Sequence, residues 1–358
     1  MVLTLESTSV RSLKKICDLA CHKSLSRYRE WVLNIDGAIL FLDFTKAFDS
    51  VEWEFMYYSM KKFGFNNSII QWVQTLYTNI KGCILNNGWI SSPFDIQRGI
   101  RQGCPVSALI FVITVEILAC RLRQDNDIKG IQIKLDGINH SIKLSQLADD
   151  TTIFVKTREE ISKALNIIEI FGSLSGLLLN RNKTEGIWLG NLKHDNEKYE
   201  EINWSDTVKC LGVYFGHNKA ECKRRNIEKQ ILKTEKIIND WNKRNLTMLG
   251  RITVAKSLLI PNITFIGSVT KLDKTYVSKF KKLIYDFIWN NKQEKVKRSI
   301  LSLDFCNGGL RATDLDKYLD AIKINWIKRL IHKDNIMPNW KIIPTLYFNT
   351  YGQNFMLL

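Results

Sequence analysis

Two short stretches that set carboxylates against apolar residues, one at a strand end and one in a strand–turn–strand, constrain this chain more than any other feature. Ala38–Asp43 reads Ala-Ile-Leu-Phe-Leu-Asp, and Leu147–Phe154 reads Leu-Ala-Asp-Asp-Thr-Thr-Ile-Phe. Apolar runs of this length predict buried strands. Asp43 then falls at a strand end, and Asp149-Asp150 falls in a turn between strands Ile142–Leu147 and Thr151–Lys156. Carboxylates gathered beside apolar strands are costly unless a cation neutralises them. Mg²⁺ meets that need, because it takes hard oxygen ligands and is held by a few carboxylates plus substrate phosphates. Two such ions, about 3.5–4 Å apart, activate an attacking hydroxyl and stabilise a leaving oxygen. Each acid also has an ordinary reading: Asp-Asp in a tight turn is a solvated hairpin, and Asp at a strand end is a helix cap.

The surrounding pattern mixes helices with short strands. Residues 11–33 read as a helix, polar and basic on one side. Trp53–Phe63 and Ser68–Thr78 read as helices, the first stopped by Gly64 and the second capped by Ser68. Gly82–Leu85 and Trp89–Ile96 flank Asn86-Asn87-Gly88, a hairpin signal. Pro105 opens a strongly apolar helix that runs to about Arg123. Ile131–Leu135 and Ile142–Leu147 read as strands around the turn Asp136-Gly137. Thr157 with Glu160 forms a capping-box signal for a helix to about Leu174, which Gly176 ends. Strands follow at Glu185–Leu189 and Thr207–Phe215. From Glu221 the pattern is mostly helical and basic, which places a domain boundary near Gly216–Lys219.

Charge is spread unevenly. The net charge is +16, with 28 Lys and Arg against 14 Asp and Glu from Glu201 onward, and 24 against 22 before it. A basic second half points to a polyanion, most simply nucleic acid; a basic soluble surface is the plainer alternative. Trp241, Trp289 and Trp326 fit helix packing better than base stacking. The 8 cysteines include no C-x-x-C, and Cys17, Cys21 and His22 lack a second pair, so reduced intracellular thiols are favoured over a zinc site. The amino terminus lacks a signal-peptide core. The longest apolar run, Ala108–Cys120, contains Glu116 and falls short of the roughly 20 residues that span a bilayer. A soluble protein of the cytoplasm or nucleus, with no membrane partner, is therefore expected. The 5 histidines are scattered, and no G-x-x-x-x-G-K-[ST] phosphate loop is present.

Five segments carry a family resemblance, in the family's order and with similar spacing. FLDFTKAFDSV at Phe41–Val51 resembles reverse-transcriptase motif A, RGIRQGCPVSALIF at Arg98–Phe111 resembles motif B, and LADDTTIF at Leu147–Phe154 resembles motif C. SGLLLNRNKTEGIWLG at Ser175–Gly190 is similar to motif D, and KCLGVYFG at Lys209–Gly216 to the primer grip that follows it. The Gly-Ile-Arg-Gln-Gly-Cys-Pro run and Ala148 before the Asp pair bring the wording closest to LINE-type (non-LTR) retrotransposons. Fainter likeness continues through Phe287-Ile288-Trp289 and Gly308-Gly309-Leu310, which look like the family's thumb and post-thumb region.

The resemblance implies an α+β fold: a right-hand polymerase palm, its antiparallel sheet backed by helices, at 37–217, then a basic α-helical thumb and post-thumb region at 218–358. Residues 1–36 are then a partial helical lead-in. The implied function is an RNA-directed DNA polymerase that uses two Mg²⁺ ions to join a dNTP to a DNA primer on an RNA template. Asp43, Asp149 and Asp150 are the implied metal ligands, with the Phe44 carbonyl beside them. Phe48 matches the aromatic position under the sugar, where a ring excludes the 2′-OH that marks ribonucleotides; it is also readable as a buried aromatic. Gln102 and Gly103 match the dNTP-contacting turn, and Gly103 lets backbone approach closely. Arg98 and Arg101 are phosphate or template contacts, or a solvated surface. Lys183 protonates the pyrophosphate leaving group or balances its charge. Lys223, Arg224, Arg225, Lys229 and Lys233 form a basic helix face suited to a duplex backbone.

The chain departs from the family pattern upstream of motif A. No match to the fingers motifs is found before Asp43, no endonuclease domain precedes it, and no carboxy-terminal Cys/His cluster appears. It therefore reads as the palm and thumb of a truncated element copy, or as a part of a larger polyprotein whose other parts are its partners. A catalytically silent remnant that only binds nucleic acid is the alternative. A nucleotide cyclase on a related palm is disfavoured by RGIRQGCP and the basic second half.

Overall fold

The computed structural model describes residues 36–135, 138–190, 192, 199–270, 272–332, 340–342 and 344–345. The expected helix at 11–33, Cys17, Cys21 and His22, and the Asp136-Gly137 turn lie outside the described residues. The chain forms two compact units that divide between Val208 and Lys209.

The first unit is built on β1 (Gly37–Leu42), all six residues of which are buried. After it come α1 (Ala47–Ser50), α2 (Trp53–Lys62) and α3 (Asn67–Tyr77). The cap of α3 is Asn66 rather than the expected Ser68: its side chain accepts from the Ile69 N–H at 3.0 Å. Asn side chains are strong N-caps, and the helix starts at Asn67, one residue before Ser68. Four two-residue strands follow: β2 (Lys81–Gly82), β3 (Leu85–Asn86), β4 (Trp89–Ile90) and β5 (Phe94–Asp95). They pair as β3–β4 and β2–β5 around Asn87-Gly88, both in positive φ as a tight hairpin turn requires. Helix α4 spans Pro105–Gln124.

Strands β6 (Ile131–Leu135), β7 (Ile138–Ile142), β8 (Leu144–Leu147) and β9 (Asp150–Val155) come next. The expected single strand Ile142–Leu147 is thus two: β7 pairs with β6 in a separate ribbon, and β8 pairs with β9. Helix α5 (Arg158–Ser175) is capped by Thr157 and ends at Gly176, as its signals predict. The Glu160 carboxylate accepts from Lys156 N–H at 2.9 Å and Gly130 N–H at 3.2 Å. β10 (Glu185–Leu189) and β11 (Asn203–Trp204) complete a five-stranded sheet in the order β11-β10-β1-β9-β8, antiparallel except for β10–β11.

Alternation along the strands sorts the sheet's side chains. Ala38, Leu40 and Leu42 of β1, with Ile153 and Val155 of β9, join one core with Met56, Met60, Ile110, Phe111, Val115, Ile161, Leu165 and Ile168 of the helices. Ile39, Phe41 and Asp43 lie on the opposite face, beside Thr152 and Phe154. Helix α4 is central to the helical layer, packing against α2 and α5. It extends beyond the apolar run Ala108–Cys120, so the expectation of a segment too short to cross a bilayer is corrected. Pro105–Gln124 and Met248–Val269 are both long and apolar enough by length and composition. Eight α4 residues from Ser107 to Leu122 are nevertheless buried within the protein.

The second unit opens with a hairpin, β12 (Thr207–Cys210) and β13 (Val213–Gly216), where one strand over Thr207–Phe215 was expected. Leu211 and Gly212, at φ 47° and 79°, make the turn. Helix α6 (Lys219–Asn242) packs on β13, and buried Asn226 of α6 accepts from Tyr214 N–H at 2.8 Å and donates to Tyr214 C=O at 3.1 Å. α7 (Met248–Val254) runs through a π-helical turn, Ala255–Leu259, into α8 (Ile260–Val269). Pro261 lies just past that turn, and a proline lacks the N–H a continuous α-helix needs, which the wider turn accommodates. α9 (Lys274–Ile288), α10 (Arg298–Leu301) and α11 (Leu315–Ile331) complete the unit, with α6, α8, α9 and α11 packed together. Arg251 is buried, and its guanidinium donates to Asn242 Oδ1 at 2.7 Å and to Phe287 C=O at 3.0 Å.

Candidate active site

Strand register gathers the three acids at one end of the sheet. β1 and β9 pair antiparallel as far as Leu42↔Thr151, and Asp43 and Asp150 are the residues next to that last pair. Asp149 lies beside them in the two-residue turn Ala148-Asp149, which Leu147↔Asp150 closes. Ala148 takes the positive φ (52°) that this tight turn demands. Asp43 and Asp149 are half-buried and Asp150 is exposed. On the other side of β1 the pairing ends at Phe41↔Glu185 and resumes at Phe44↔Leu179, so Asn180 meets Asp43 and Lys183 lies in the turn between. Lys183 is exposed and lies just before β10.

The backbone of Asp43 is tied on both sides. Its C=O accepts from Asn180 N–H at 2.7 Å, and its N–H faces Thr184 Oγ1 at 3.4 Å. Thr184 is fully buried, and its hydroxyl donates to Asn180 C=O. Sequence reading missed Asn180 and Thr184, although both lie inside the motif-D run. Phe44 is buried and bridges to Leu179. The Asp carboxylates are the hard oxygen donors that Mg²⁺ takes. As the side chains stand, no three His, Cys, Asp or Glu among the described residues are close enough together to hold an ion.

Phe48 is half-buried, its ring stacked on Phe111 of α4 with centroids 4.1 Å apart and planes 21° apart. Arg101, Gln102 and Gly103 are exposed in the turn before α4. The Gln102 carboxamide donates to Asp49 Oδ1 at 3.4 Å, and Gly103 takes φ 86°. Arg98 pairs with Glu52 at 3.5 Å. Cys104 starts α4, and the Val106 amide and Ser107 hydroxyl hold its thiol below the usual range, with Arg101 adding to the effect.

The basic face of α6 divides in two. Lys223 pairs with Asp273, Arg224 with Glu221 and Glu228, and Arg225 with Glu221. Lys229 and Lys233 have no carboxylate partner among the described residues, nor does Lys209 of β12. Lys209 stands close enough to hold the Lys229 ammonium below the usual lysine range, with burial and Lys233 contributing. Lys209 was overlooked as a cation, although it opens the quoted KCLGVYFG run. Of the tryptophans expected to pack, Trp241 lies under Arg244, and Trp326 meets Trp340 edge-on at 5.8 Å.

An antiparallel sheet backed by helices, with acids at a strand end and an adjoining hairpin turn, followed by a helical unit, defines the palm and thumb of a polymerase. The chain belongs to the reverse transcriptase (RNA-dependent DNA polymerase) family, whose profile matches residues 3–215. It is 24% identical over 317 residues to the transposon TX1 uncharacterized 149 kDa protein of Xenopus laevis, covering 87% of this chain and 24% of that protein. It is 30% identical over 142 residues to the retrovirus-related Pol polyprotein from type-2 retrotransposable element R2DM of Drosophila melanogaster, covering 40% of this chain and 13% of the polyprotein. The type-1 element R2 polyprotein of Popillia japonica is 28% identical over 42% of this chain and 24% of its own length. These relatives bear out the resemblance to a LINE-type reverse transcriptase, and the chain spans a quarter or less of each. Among solved structures, telomerase from Candida tropicalis in complex with a telomeric RNA fragment aligns over 94% of this chain and 52% of its own, at 12% identity and a TM-score of 0.42.

Proposed function

We propose that this chain catalyses templated nucleotidyl transfer, in which a primer 3′-hydroxyl attacks the α-phosphate of a dNTP opposite an RNA template and pyrophosphate leaves. The observation that carries this reading is the strand pairing that ends at Leu42↔Thr151, next to Asp43 and Asp150, with Asp149 in the adjoining turn. These carboxylates would hold two Mg²⁺ ions, with the Phe44 carbonyl beside them. When bound, the ions supply activation of the attacking hydroxyl and neutralisation of charge at the leaving oxygen. The chain's own groups do the rest. Phe48 closes the space a 2′-OH would need. Gln102 and Gly103 line the nucleotide, and Arg101 meets its phosphates. Lys183 protonates the departing pyrophosphate or balances its charge.

Residues 37–217 act as the palm and 218–358 as the thumb and post-thumb region. Duplex contacts fall to Lys209, Lys229 and Lys233, with Arg98, Lys223, Arg224 and Arg225 available where their exposed ion pairs give way, since such pairs hold only about 0–1 kcal/mol. Other parts of a longer polyprotein are the natural partners, since the match to this chain covers a quarter or less of each relative.

Primer extension on a poly-rA template with Mg²⁺ tests the reading, comparing the unaltered chain with its Asp149→Ala, Asp150→Ala variant. Extension by the unaltered chain alone is expected. Salt-sensitive duplex binding without extension by either would overturn it and leave a nucleic-acid-binding protein without polymerase activity.

A further inference from the structure

Five contacts tie the segment before α4 to the end of motif A, all within the first unit. Ile100 N–H donates to Phe48 C=O at 2.6 Å, and Gly99 N–H to Val51 C=O at 2.8 Å. The Trp53 indole N–H donates to Gly99 C=O at 2.8 Å. Arg98 pairs with Glu52, and Gln102 reaches Asp49. Both peptide groups of Gly99 are thereby engaged. Its φ of 93° and the Asp49 carbonyl, 2.8 Å from where a Cβ would stand, leave room for glycine alone.

Trp53 is the one side chain in this set that is itself wedged in place. Its ring meets Tyr77 of α3 edge-on at 5.6 Å, and the Tyr77 hydroxyl stands 3.5 Å from Ser107 Oγ on α4. The indole therefore joins α2, α3 and the Gly99 carbonyl, while Phe48 is held through its own carbonyl by Ile100 and through its ring by Phe111. Phe48 and the Gln102-Gly103 turn are separated by more than fifty residues of chain but share one rigid seat.

We propose that Trp53 is a positioning residue for nucleotide selection: by clamping Gly99 it fixes the Gln102-Gly103 turn against Phe48, and so sets both dNTP affinity and discrimination against ribonucleotides. This rests on the roles proposed above for Phe48 and Gln102. A displaced turn weakens nucleotide binding without touching the carboxylates, so the effect falls on KM and on sugar selection rather than on kcat.

The test is single-nucleotide incorporation by the full chain, with KM and kcat measured for a dNTP and its matching rNTP. Trp53→Phe keeps the aromatic packing and removes the N–H donor. Trp204→Phe is the matched control, because its indole also donates to a carbonyl, that of Tyr199 at 3.0 Å, away from this turn. A lost hydrogen bond of this kind predicts a rise of about three- to tenfold in KM for the dNTP. kcat should stay within about twofold, and preference for dNTP over rNTP should fall by a similar factor, in Trp53→Phe alone. The same changes in Trp204→Phe, or an unaltered preference in Trp53→Phe beside an active parent chain, would overturn the proposal by itself. A parent chain that incorporates no nucleotide would overturn the polymerase reading and this proposal with it.

Discussion

Ala148 holds a backbone conformation unfavourable for any side chain with a Cβ, at φ 52° in the turn that carries Asp149. An L-residue there is strained by roughly 1–2 kcal/mol. Ala148→Gly relieves that strain but frees the unfolded chain by about 0.4–1 kcal/mol, so stability should change by less than about 1 kcal/mol. Ala148→Val adds a β-branch in a region such residues avoid and should destabilise by about 1–2 kcal/mol or more. Thermal unfolding of the three proteins checks the order. At this scale the acids were legible, since each is set against apolar residues. The groups that seat them were not. Thr184 lies 141 residues from Asp43 in sequence, and its use comes from a buried hydroxyl placed by the β1–β10 register. Trp53 entered the sequence reading only as a helix start and Phe111 only as the end of the motif-B run, and the fold shows what they hold.

Asn226 shows how a single carboxamide couples two elements of the second unit. It is buried and pairs with both backbone groups of Tyr214, so α6 and β13 are joined by a donor and an acceptor at once. Asn226→Leu would orphan both groups, at about 1–3 kcal/mol each, and Asn226→Asp would lose only the donor. Denaturant unfolding should rank them in that order. Acid sensitivity resides elsewhere, at the end of α4. Burial pushes the Asp125 carboxyl up, but the Asp127 amide and the Lys163 ammonium outweigh it and hold it below its usual 3.8. A depressed carboxylate contributes stability that is present above the unfolded value and lost as pH falls through the folded value. The stability gap between the parent and Asp125→Asn should therefore be constant near neutrality and close below about pH 4, as unfolding at pH 7 and pH 3 would show. Elements that keep the same partners along their length, such as β1, α4 and α5, were readable from pattern. Ile142–Leu147 and Thr207–Phe215 were not. Each is a strand-like stretch, with apolar residues recurring to its end, whose backbone changes partner or turns back at Leu211-Gly212.

Across the whole molecule, the excess of Lys and Arg after residue 200 was the first hint of a polyanion partner. The fold separates cations already engaged by carboxylates from those that are not. Replacing Lys209, Lys229 and Lys233 with alanine should lower the slope of log binding constant against log salt by about 2–3, at about 0.9 per duplex phosphate contact. The same change at Lys223, Arg224 and Arg225 should move it less, because each already has an acidic partner. Equilibrium binding to an RNA–DNA duplex between about 50 and 200 mM salt measures both. The central strand carries a further consequence. Since β1 carries Asp43 just past its pairs Leu42↔Thr151 on one flank and Phe41↔Glu185 on the other, it serves as a ruler with a two-residue tick. Inserting or deleting one residue between Gly37 and Asp43 would turn that carboxylate to the far side of the sheet and exchange every buried contact along the strand. Substitutions at many surface positions would thus leave the acids in place, but one residue gained or lost in this stretch would misplace them.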